Sequence, residues 1–349
     1  MTAPSTSSKT LKPMQRLELL RTMVRIRAFE EKVGELFLKG GTAGSMLHLS
    51  IGEEGAAAGV ALAMKPGDTF TTHHRGHGIF VARGGNVDRM MAEIAGKETG
   101  YCRGKGGSMH IADMSLGHLG ANAIVGGGIP AVVGAGLSSK VLNQGSVSVA
   151  FFGDGAMQQG ICFESMNMAA LWKLPVVFAV INNQYGMGTR IDRASATLDF
   201  AGRARGFGLN AIEVDGTQPE LVLEAANELI EHARAGKGAG FIVANCYRFY
   251  GHARKDKSPY RDEQEELDGR KGDPILNQAA ILEAAGMLKP GDLANLDQNA
   301  SDEMDRAVEF AQASASPQHE SMFEDVFDAA QPKPVTVDSR LDSILGGAQ

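Results

Sequence analysis

Two polar turns flank a stretch of the sequence that is predicted to form a strand, a helix and a second strand. Asp154 follows the apolar run 147–152, and Asn183 follows the apolar run 176–181. Because the carboxyl ends of parallel strands meet at one edge of a sheet, we expect the Asp154 carboxylate and the Asn183 amide oxygen to lie close together. Two hard oxygen ligands favour Mg²⁺ or Ca²⁺, and Mg²⁺ is commonly bound together with substrate phosphate oxygens.

The helix between the two turns is predicted over 156–173, with Gly155 and Ala156 at its start. Their N–H groups and the positive end of the helix dipole would then face the same point as the two oxygen ligands. Either turn alone is more simply explained as ordinary turn chemistry. Both turns at the ends of one apolar unit favour a site for a metal-bridged diphosphate.

Strand and helix patterns alternate along the rest of the chain. Helical periodicity is clearest at 17–38, 87–94 and 220–233, and 96–128 is predicted to be mostly loop. The alternation predicts an α/β fold: a parallel sheet covered by helices on both faces, with helical N- and C-terminal extensions. We expect a disordered arm at 1–13, an α/β domain at 14–330 with a helical C-terminal segment from about 262, and a flexible tail at 331–349.

Composition excludes several classes of protein. The 349 residues are 43% hydrophobic, and the net charge of −7 without a long basic run argues against nucleic acid as the main partner. The three cysteines, Cys102, Cys162 and Cys246, have no CxxC spacing and suit a reducing compartment. No stretch of eighteen apolar residues predicts a membrane span, so the cytoplasm is the expected location.

The GDG and NN turns, with the helix and strand between them, resemble the thiamine diphosphate signature. The longer segment NMAALWKLPVVFAVINNQYGMGT resembles the α subunit of the heteromeric 2-oxo acid dehydrogenase first component, of pyruvate or acetoin type. The similarity covers roughly residues 20–290 and includes IGEEGAAAG, THHRGHG, GKGGSMH, ANAIVGGGIP and YRFYGH. It implies a thiamine diphosphate-binding fold, with thiamine diphosphate and Mg²⁺ as cofactors. The implied reaction is oxidative decarboxylation of pyruvate or a similar 2-oxo acid, with acyl transfer to a lipoyl group; acetoin cleavage is the alternative.

The resemblance also implies roles for individual residues. Arg75 would contact the cofactor diphosphate, the segment 123–125 would line its ring system, and His252 and His77 would be catalytic. His74 occupies the position where pyruvate enzymes commonly have tyrosine, and this difference somewhat favours similarity to acetoin-type sequences. The implied metal ligands are Asp154, Asn183 and Tyr185. The implied cofactor-binding residues are His74, Arg75, Ala123, Val125, Asp154, Gly155, Ala156, Asn183, Tyr185 and His252.

Two other motifs carry weaker signals. His73 and His77 have the spacing of a helical zinc pair, but Gly76 and Gly78 disfavour a helix, and no glutamate follows His73. The segment GKGGSMH at 104–110 is not a dinucleotide fingerprint, because methionine occupies its sixth position and no strand precedes it. We expect a flexible loop there, near a subunit contact by resemblance, with no chemistry assigned.

The resemblance implies that half of the active site lies on another chain. In the family, the glutamate that activates the cofactor comes from a separate β subunit, and this chain is short for a self-sufficient thiamine enzyme. The expected partners are a β subunit in a complex of two α and two β chains, a lipoyl-bearing acyltransferase, and a small 2-oxo acid or acetoin. A self-sufficient transketolase-like enzyme and a non-catalytic diphosphate-binding partner are the rival hypotheses.

Overall fold

The computed structural model describes residues 11–44 and 46–326. The described residues up to Ser316 form one compact unit. Residues 317–326 belong to a second unit and contain a 3₁₀ turn at His319–Phe323. The first helix begins at Pro13, whereas most of the predicted arm and all of the predicted tail at 331–349 lie outside the described residues.

A parallel sheet of six strands forms the centre of the first unit, in the order β2-β1-β3-β4-β8-β7. A separate antiparallel pair, β5 and β6, follows β4. The strands are β1 (Thr69–His73), β2 (His118–Asn122), β3 (Ser148–Gly153), β4 (Val176–Asn182), β5 (Tyr185–Gly186), β6 (Thr189–Arg190), β7 (Asn210–Asp215) and β8 (Gly240–Asn245).

Helices cover both faces of this sheet, which confirms the predicted fold class. The helices are α1 (Pro13–Leu38), α2 (Glu54–Ala63), α3 (His77–Ala82), α4 (Val87–Ile94), α5 (Gly128–Val141), α6 (Gly160–Leu171), α7 (Ile191–Ala194), α8 (Phe200–Gly206), α9 (Pro219–Arg234), α10 (Glu263–Arg270), α11 (Pro274–Ala284) and α12 (Asp292–Ala313).

Alternate side chains of each central strand enter two different apolar cores. Val149 and Phe151 pack with residues of α1, α2 and α9, whereas Ala150 and Phe152 pack with residues of α5, α6 and α8. This division follows from the period of two along a strand. A strand that is buried on both faces needs a continuous apolar run, which explains why β3 and β4 are easy to recognise in the sequence.

The strand order reverses direction between β1 and β3. From β1 the chain passes to β2 on one side, and after β3 it continues to β4 on the other side. Ligands of open α/β sheets bind at such a switch point, outside the carboxyl ends of the strands. The residues that follow β1 are His74 and Arg75, and the residue that follows β3 is Asp154.

One local prediction was wrong. The helix predicted over 156–173 starts later, because the segment after Asp154 first forms a 3₁₀ turn, Asp154–Gln158, and α6 begins only at Gly160, after an extended Gln159 (φ −83°, ψ 135°). The segment 96–128 is mostly loop, as predicted, but it also contains the edge strand β2, whose residues are mostly only partly buried, so that it lacks an apolar run. His73 ends β1 and His77 starts α3, so the two histidines do not share a helix, as predicted. Gly78 allows α3 to pack closely, since a Cβ there would lie 2.9 Å from atoms of α1 and of the loop before α2.

Candidate active site

A cavity of about 390 Å³ opens at the carboxyl edge of the sheet, beside the switch point. All ten residues that the sequence assigns to cofactor binding line it, although they come from five separate segments of the chain. The cavity is also lined by residues that were not assigned to cofactor binding: His48, His73, Met109, Asn122, Gly126, Phe152, Gly153, Gly186, Met187 and Arg248.

Asp154 is positioned as a buried carboxylate with an unused oxygen. The residue is 1% exposed, and its Oδ2 has no hydrogen-bond partner among the described residues. Burial raises the pKa of this carboxyl group to about 6. An unpartnered buried carboxylate oxygen is costly in free energy, and a bound cation removes that cost. The site therefore fits a metal ion.

The Glu53 carboxylate orients the side-chain amide of Asn183. The amide nitrogen faces Glu53, and the amide oxygen points away from it. Nδ2 of Asn183 donates to Oε1 of Glu53 at 2.7 Å, and Oδ1 accepts from the backbone N–H of Tyr185 at 3.2 Å. Glu53 is itself fully buried, and burial raises its pKa to about 7. The sequence did not single out Glu53, because its contact with Asn183 joins residues 130 positions apart.

Tyr185 offers only one of its oxygen atoms to the cavity chemistry. Its hydroxyl donates to Oε1 of Glu265 at 2.7 Å, and burial together with Glu265 raises the pKa of the phenol to about 12. The hydroxyl is thus protonated and engaged, which leaves the backbone carbonyl oxygen. That carbonyl accepts from Nη1 of Arg248 at 3.3 Å.

Two backbone segments, at Gly155 and at Gly186 beside Tyr185, approach each other closely. A Cβ on Gly155 would lie 3.3 Å from the Cα of Gly186, and both glycines line the cavity. The missing side chains leave room for a ligand to approach the backbone N–H groups of the turn after β3.

Two buried arginines border the cavity and give it a positive wall. Arg75 donates to the carbonyl oxygens of Leu49 (2.6 Å) and His252 (2.9 Å), and its Nε lies 3.6 Å from Oε1 of Glu53. Arg248 donates to the backbone carbonyls of Tyr250, Tyr185 and Met187 and to the Tyr260 hydroxyl. Burial lowers the pKa of Arg75 and lowers that of Arg248 to about 10. Burying two guanidinium groups is costly unless an anion is recruited, so the cavity fits an anionic ligand.

The family of the chain follows from comparison with known proteins. A model of the family described as dehydrogenase E1 component matches residues 21–320. The chain belongs to the dehydrogenase E1 component family. It is therefore an oxidoreductase component, and this family uses thiamine diphosphate.

Relatives of this E1 chain carry two kinds of name. The α subunit of acetoin:2,6-dichlorophenolindophenol oxidoreductase from Bacillus subtilis is 43% identical over 315 residues, covering 89% of this chain and 93% of the relative. The α subunit of the pyruvate dehydrogenase E1 component from Rhizobium meliloti is 39% identical over 311 residues, covering 89% of each chain. Cupriavidus necator has an acetoin relative that is 40% identical over 94% of this chain and 99% of its own. In the described part of the E1 chain, no helix has both the length and the apolar character needed to cross a bilayer.

His252 lies on the loop after β8, and its position is fixed through its backbone. Its N–H donates to Oδ2 of Asp256 at 2.8 Å and contacts the Tyr260 hydroxyl at 3.2 Å. Burial, followed by the charges of Arg75 and Arg248, lowers the pKa of the imidazole to about 4, so the ring is neutral at pH 7. An anion paired with Arg75 and Arg248 would offset the part of this pKa shift that their positive charges cause.

His77 does not line the cavity, so its position does not support direct participation in the chemistry. Its ring lies behind the cavity wall, where Nδ1 is 3.1 Å from Oε2 of Glu30 and Nε2 is 3.0 Å from Oγ of Ser108. Oε1 of Glu30 in turn accepts from the N–H of Ser50 at 3.1 Å. The group thus ties the start of α3 to α1 and to the loop that precedes the helix α2.

Glu93 organises the loop that contains GKGGSMH. Its carboxylate, at the end of α4, accepts four backbone N–H groups: those of Cys102 (2.7 Å), Gly104 (2.9 Å), Gly106 (2.8 Å) and Gly107 (3.0 Å). Ser108, which follows directly, contacts His77, and Met109 lines the cavity. A loop that the sequence predicts to be flexible is therefore held around one buried charge, and it carries a wall residue of the cavity.

Replacing Glu93 by alanine is expected to destabilise the folded chain by about 3 kcal/mol or more, because four backbone N–H groups would lose the buried carboxylate that they share as an acceptor. Urea unfolding measures the change, and amide hydrogen exchange should accelerate at 102–107. The matched control is Glu98→Ala, which removes a carboxylate that pairs with Arg103 beside the same loop and is 40% exposed. That change should cost no more than about 1 kcal/mol. Equal losses in the two variants would contradict the anchoring role of Glu93.

Proposed function

We propose that this chain is the α subunit of a 2-oxo acid dehydrogenase first component that acts on pyruvate or a similar 2-oxo acid. One observation carries the proposal: a buried carboxylate with an unused oxygen, an oriented amide and two buried arginines meet in one cavity at the switch point of the sheet. That set fits the diphosphate and the divalent metal ion of the family's cofactor.

Different residues of the cavity would bind the metal ion and the diphosphate. Mg²⁺ would be held by Asp154, Asn183 and the backbone carbonyl of Tyr185, together with diphosphate oxygens. Arg75 would pair with the diphosphate, while Gly155 and Ala156 allow close approach to the backbone. Ala123 and Val125, two further residues of the predicted set, supply apolar side chains to the lining of the cavity.

When bound, thiamine diphosphate supplies a nucleophilic carbon for the substrate carbonyl and a ring that accepts the electron pair released on cleavage. The chain supplies binding, orientation and proton handling around it. Asp154 and Arg75 fix the anionic end, and His252 faces the same cavity with a ring that can hold or move a proton. His77 and Glu93 act from behind the wall, since both hold the loop that carries Met109.

Acetoin is the second candidate substrate, and one feature of the cavity favours it. The wall carries His74 where a tyrosine is common in pyruvate enzymes, and His74 lies against His48 and His252. Relatives named for acetoin and for pyruvate both cover most of the chain. Comparing kcat/KM for pyruvate and acetoin on the assembled enzyme distinguishes the two.

We further propose that the active site is completed by a β subunit in a complex of two α and two β chains, which delivers acyl groups to a lipoyl-bearing acyltransferase. Asp154 is the only carboxylate among the residues that line the described cavity, and it is assigned to the metal. The edge of the cavity exposes Ile124 (74%) and Val125 (50%), and α5 and α6 expose further apolar side chains, among them Val141 and Leu171. Val141 and Leu171 line one shallow groove, and grouped exposed apolar side chains of this kind are typical of subunit interfaces.

The purified chain alone is expected to turn over 2-oxo acids at least about 100-fold more slowly than the α/β complex, because a positioned acid–base group typically contributes 10²–10⁴ in rate. Reduction of an artificial electron acceptor measures turnover, and analytical ultracentrifugation measures the mass of the complex. Robust turnover by the α chain alone would favour the transketolase-like alternative. Cofactor binding without turnover, even with the β chain present, would favour a non-catalytic partner.

A further inference from the structure

Three histidine rings meet on one wall of the cavity. His48 comes from the loop before α2, His74 from the loop after β1, and His252 from the loop after β8. Their ring centroids are 4.6 Å (His48–His74), 4.8 Å (His48–His252) and 5.4 Å (His74–His252) apart. One nitrogen from each ring can be chosen so that all three lie within 4.8 Å of one another.

Two of the ring nitrogen atoms in this cluster are buried without a partner among the described residues. In the described residues, Nδ1 of His48 and Nδ1 of His252 are buried without any hydrogen bond. Buried polar atoms are nearly always paired, so two unpaired ring nitrogens in a three-histidine cluster point to a missing ligand. Burial lowers the pKa of His48 to about 3 and that of His252 to about 4, so both rings are neutral at pH 7, the form that binds metals.

The loops that carry the rings are joined to one another by backbone hydrogen bonds. The N–H of Arg254 donates to the carbonyl of Leu47 at 2.8 Å, and the N–H of Phe249 donates to the carbonyl of Ile51 at 2.9 Å. Arg75 joins the third loop to the other two through Leu49 and His252. These bonds hold the three rings on one side of the cavity without any ligand.

We propose that His48, His74 and His252 form a second metal site, selective for a borderline divalent transition metal such as Zn²⁺ and separate from the oxygen-ligand site at Asp154. Imidazole nitrogen favours Zn²⁺ and Co²⁺, whereas Mg²⁺ prefers oxygen ligands. Tetrahedral zinc needs nitrogen atoms about 3.4 Å apart, given Zn–N distances of about 2.0–2.1 Å. The ring nitrogens lie within 4.8 Å of one another here, so metal binding would require His74 and His252, the two half-buried rings, to rotate toward His48.

The fourth ligand would come from the cavity and is expected to be an anion. Arg75 and Arg248 contribute positive charge to the electrostatics of this wall. A hydroxide or chloride on the metal reduces the repulsion that a bare dication would meet. Because the site occupies the cavity in which we propose the cofactor binds, zinc and thiamine diphosphate should exclude each other. That competition rests on the proposed function, but the binding of metal to the histidines does not.

A Co²⁺ titration of the full-length chain, free of metal and thiamine diphosphate, tests the site. Co²⁺ bound by three imidazoles and one anion gives the intense visible bands of tetrahedral cobalt, and we expect one equivalent per chain. Zn²⁺ should displace it, and excess Mg²⁺ should not. His48→Gln and His74→Gln should each weaken binding at least about tenfold, since even losing a group behind a metal ligand costs 10–100-fold.

Two kinds of control separate this site from other binding. His110→Gln and His232→Gln remove histidines that lie outside the cluster, and they should leave the cobalt spectrum and affinity unchanged. Asp154→Asn should abolish Mg²⁺-dependent cofactor binding yet keep the cobalt bands. Absence of tetrahedral bands in the folded wild-type chain, or equal affinity in wild type and His74→Gln, would overturn the proposal. Circular dichroism checks folding, and His74→Gln decides if the more buried His48→Gln misfolds.

Discussion

Replacing Asp154 by alanine is expected to weaken Mg²⁺-dependent binding of thiamine diphosphate at least about 100-fold in the assembled α/β complex. The reason is that this carboxylate has an unused buried oxygen and is the only carboxylate lining the described cavity. Loss of a group that only supports a metal ligand already costs 10–100-fold in affinity, so loss of a ligand should cost more. Isothermal calorimetry with and without Mg²⁺ measures the change.

The same residue should have the opposite effect on the stability of the metal-free protein. Burial raises the pKa of Asp154 to about 6, which means that its ionised form is unfavourable in the folded chain without a cation. Asp154→Asn should therefore raise the Tm of the metal-free chain and remove the rise in Tm that Mg²⁺ and the cofactor give the wild type. As a control, Asp192→Asn changes an exposed carboxylate and should leave both values unchanged. Unaltered cofactor affinity in folded Asp154→Ala would refute the metal assignment.

Replacing His252 by alanine is expected to slow acyl transfer to a lipoyl group by roughly 10²–10⁴-fold, the usual contribution of a positioned acid or base. Decarboxylation measured with an artificial electron acceptor should fall much less, because the cofactor carries that chemistry. His252 suits this role because its backbone is fixed by Asp256 while its ring faces the cavity without a partner for Nδ1 in the described residues.

Comparing the two assays on one variant separates a proton-transfer role from a binding role. Equal losses in lipoyl acetylation and acceptor reduction would indicate that His252 binds the cofactor instead. Restoration of activity by excess thiamine diphosphate would point the same way. His232→Ala, which changes a histidine on α9 that does not line the cavity, is the control and should leave both rates unchanged.

The strands that position the site can be predicted from the local sequence pattern. The apolar runs of β3 and β4 identify two strands buried on both faces, and parallel pairing brings the turns after them, with Asp154 and Asn183, to one edge. Because strand period and connection handedness are local rules, these placements needed no knowledge of the remaining chain. The resemblance added the other residues that we propose bind the cofactor, such as Arg75 and Val125, and these too line the same cavity.

Contacts between segments that are far apart in the chain could not be predicted from the sequence. Glu53 orients Asn183 across 130 positions, and Glu93 gathers backbone N–H groups, which carry no mark in a sequence because every residue except proline has one. The same limit explains why the sequence did not indicate α3, which begins at His77 and packs closely against α1.

The sequence by itself determined the α/β class, the two oxygen-bearing turns and, by resemblance, the set of residues that line one cavity. Only the tertiary structure decided that His77 lies behind the wall, that Glu93 holds the glycine loop, and that His48 joins His74 and His252. Local periodicity specifies strands and helices because neighbouring side chains share one face. The partners of a buried charge or ring are specified by packing, which brings together segments that no sequence spacing relates.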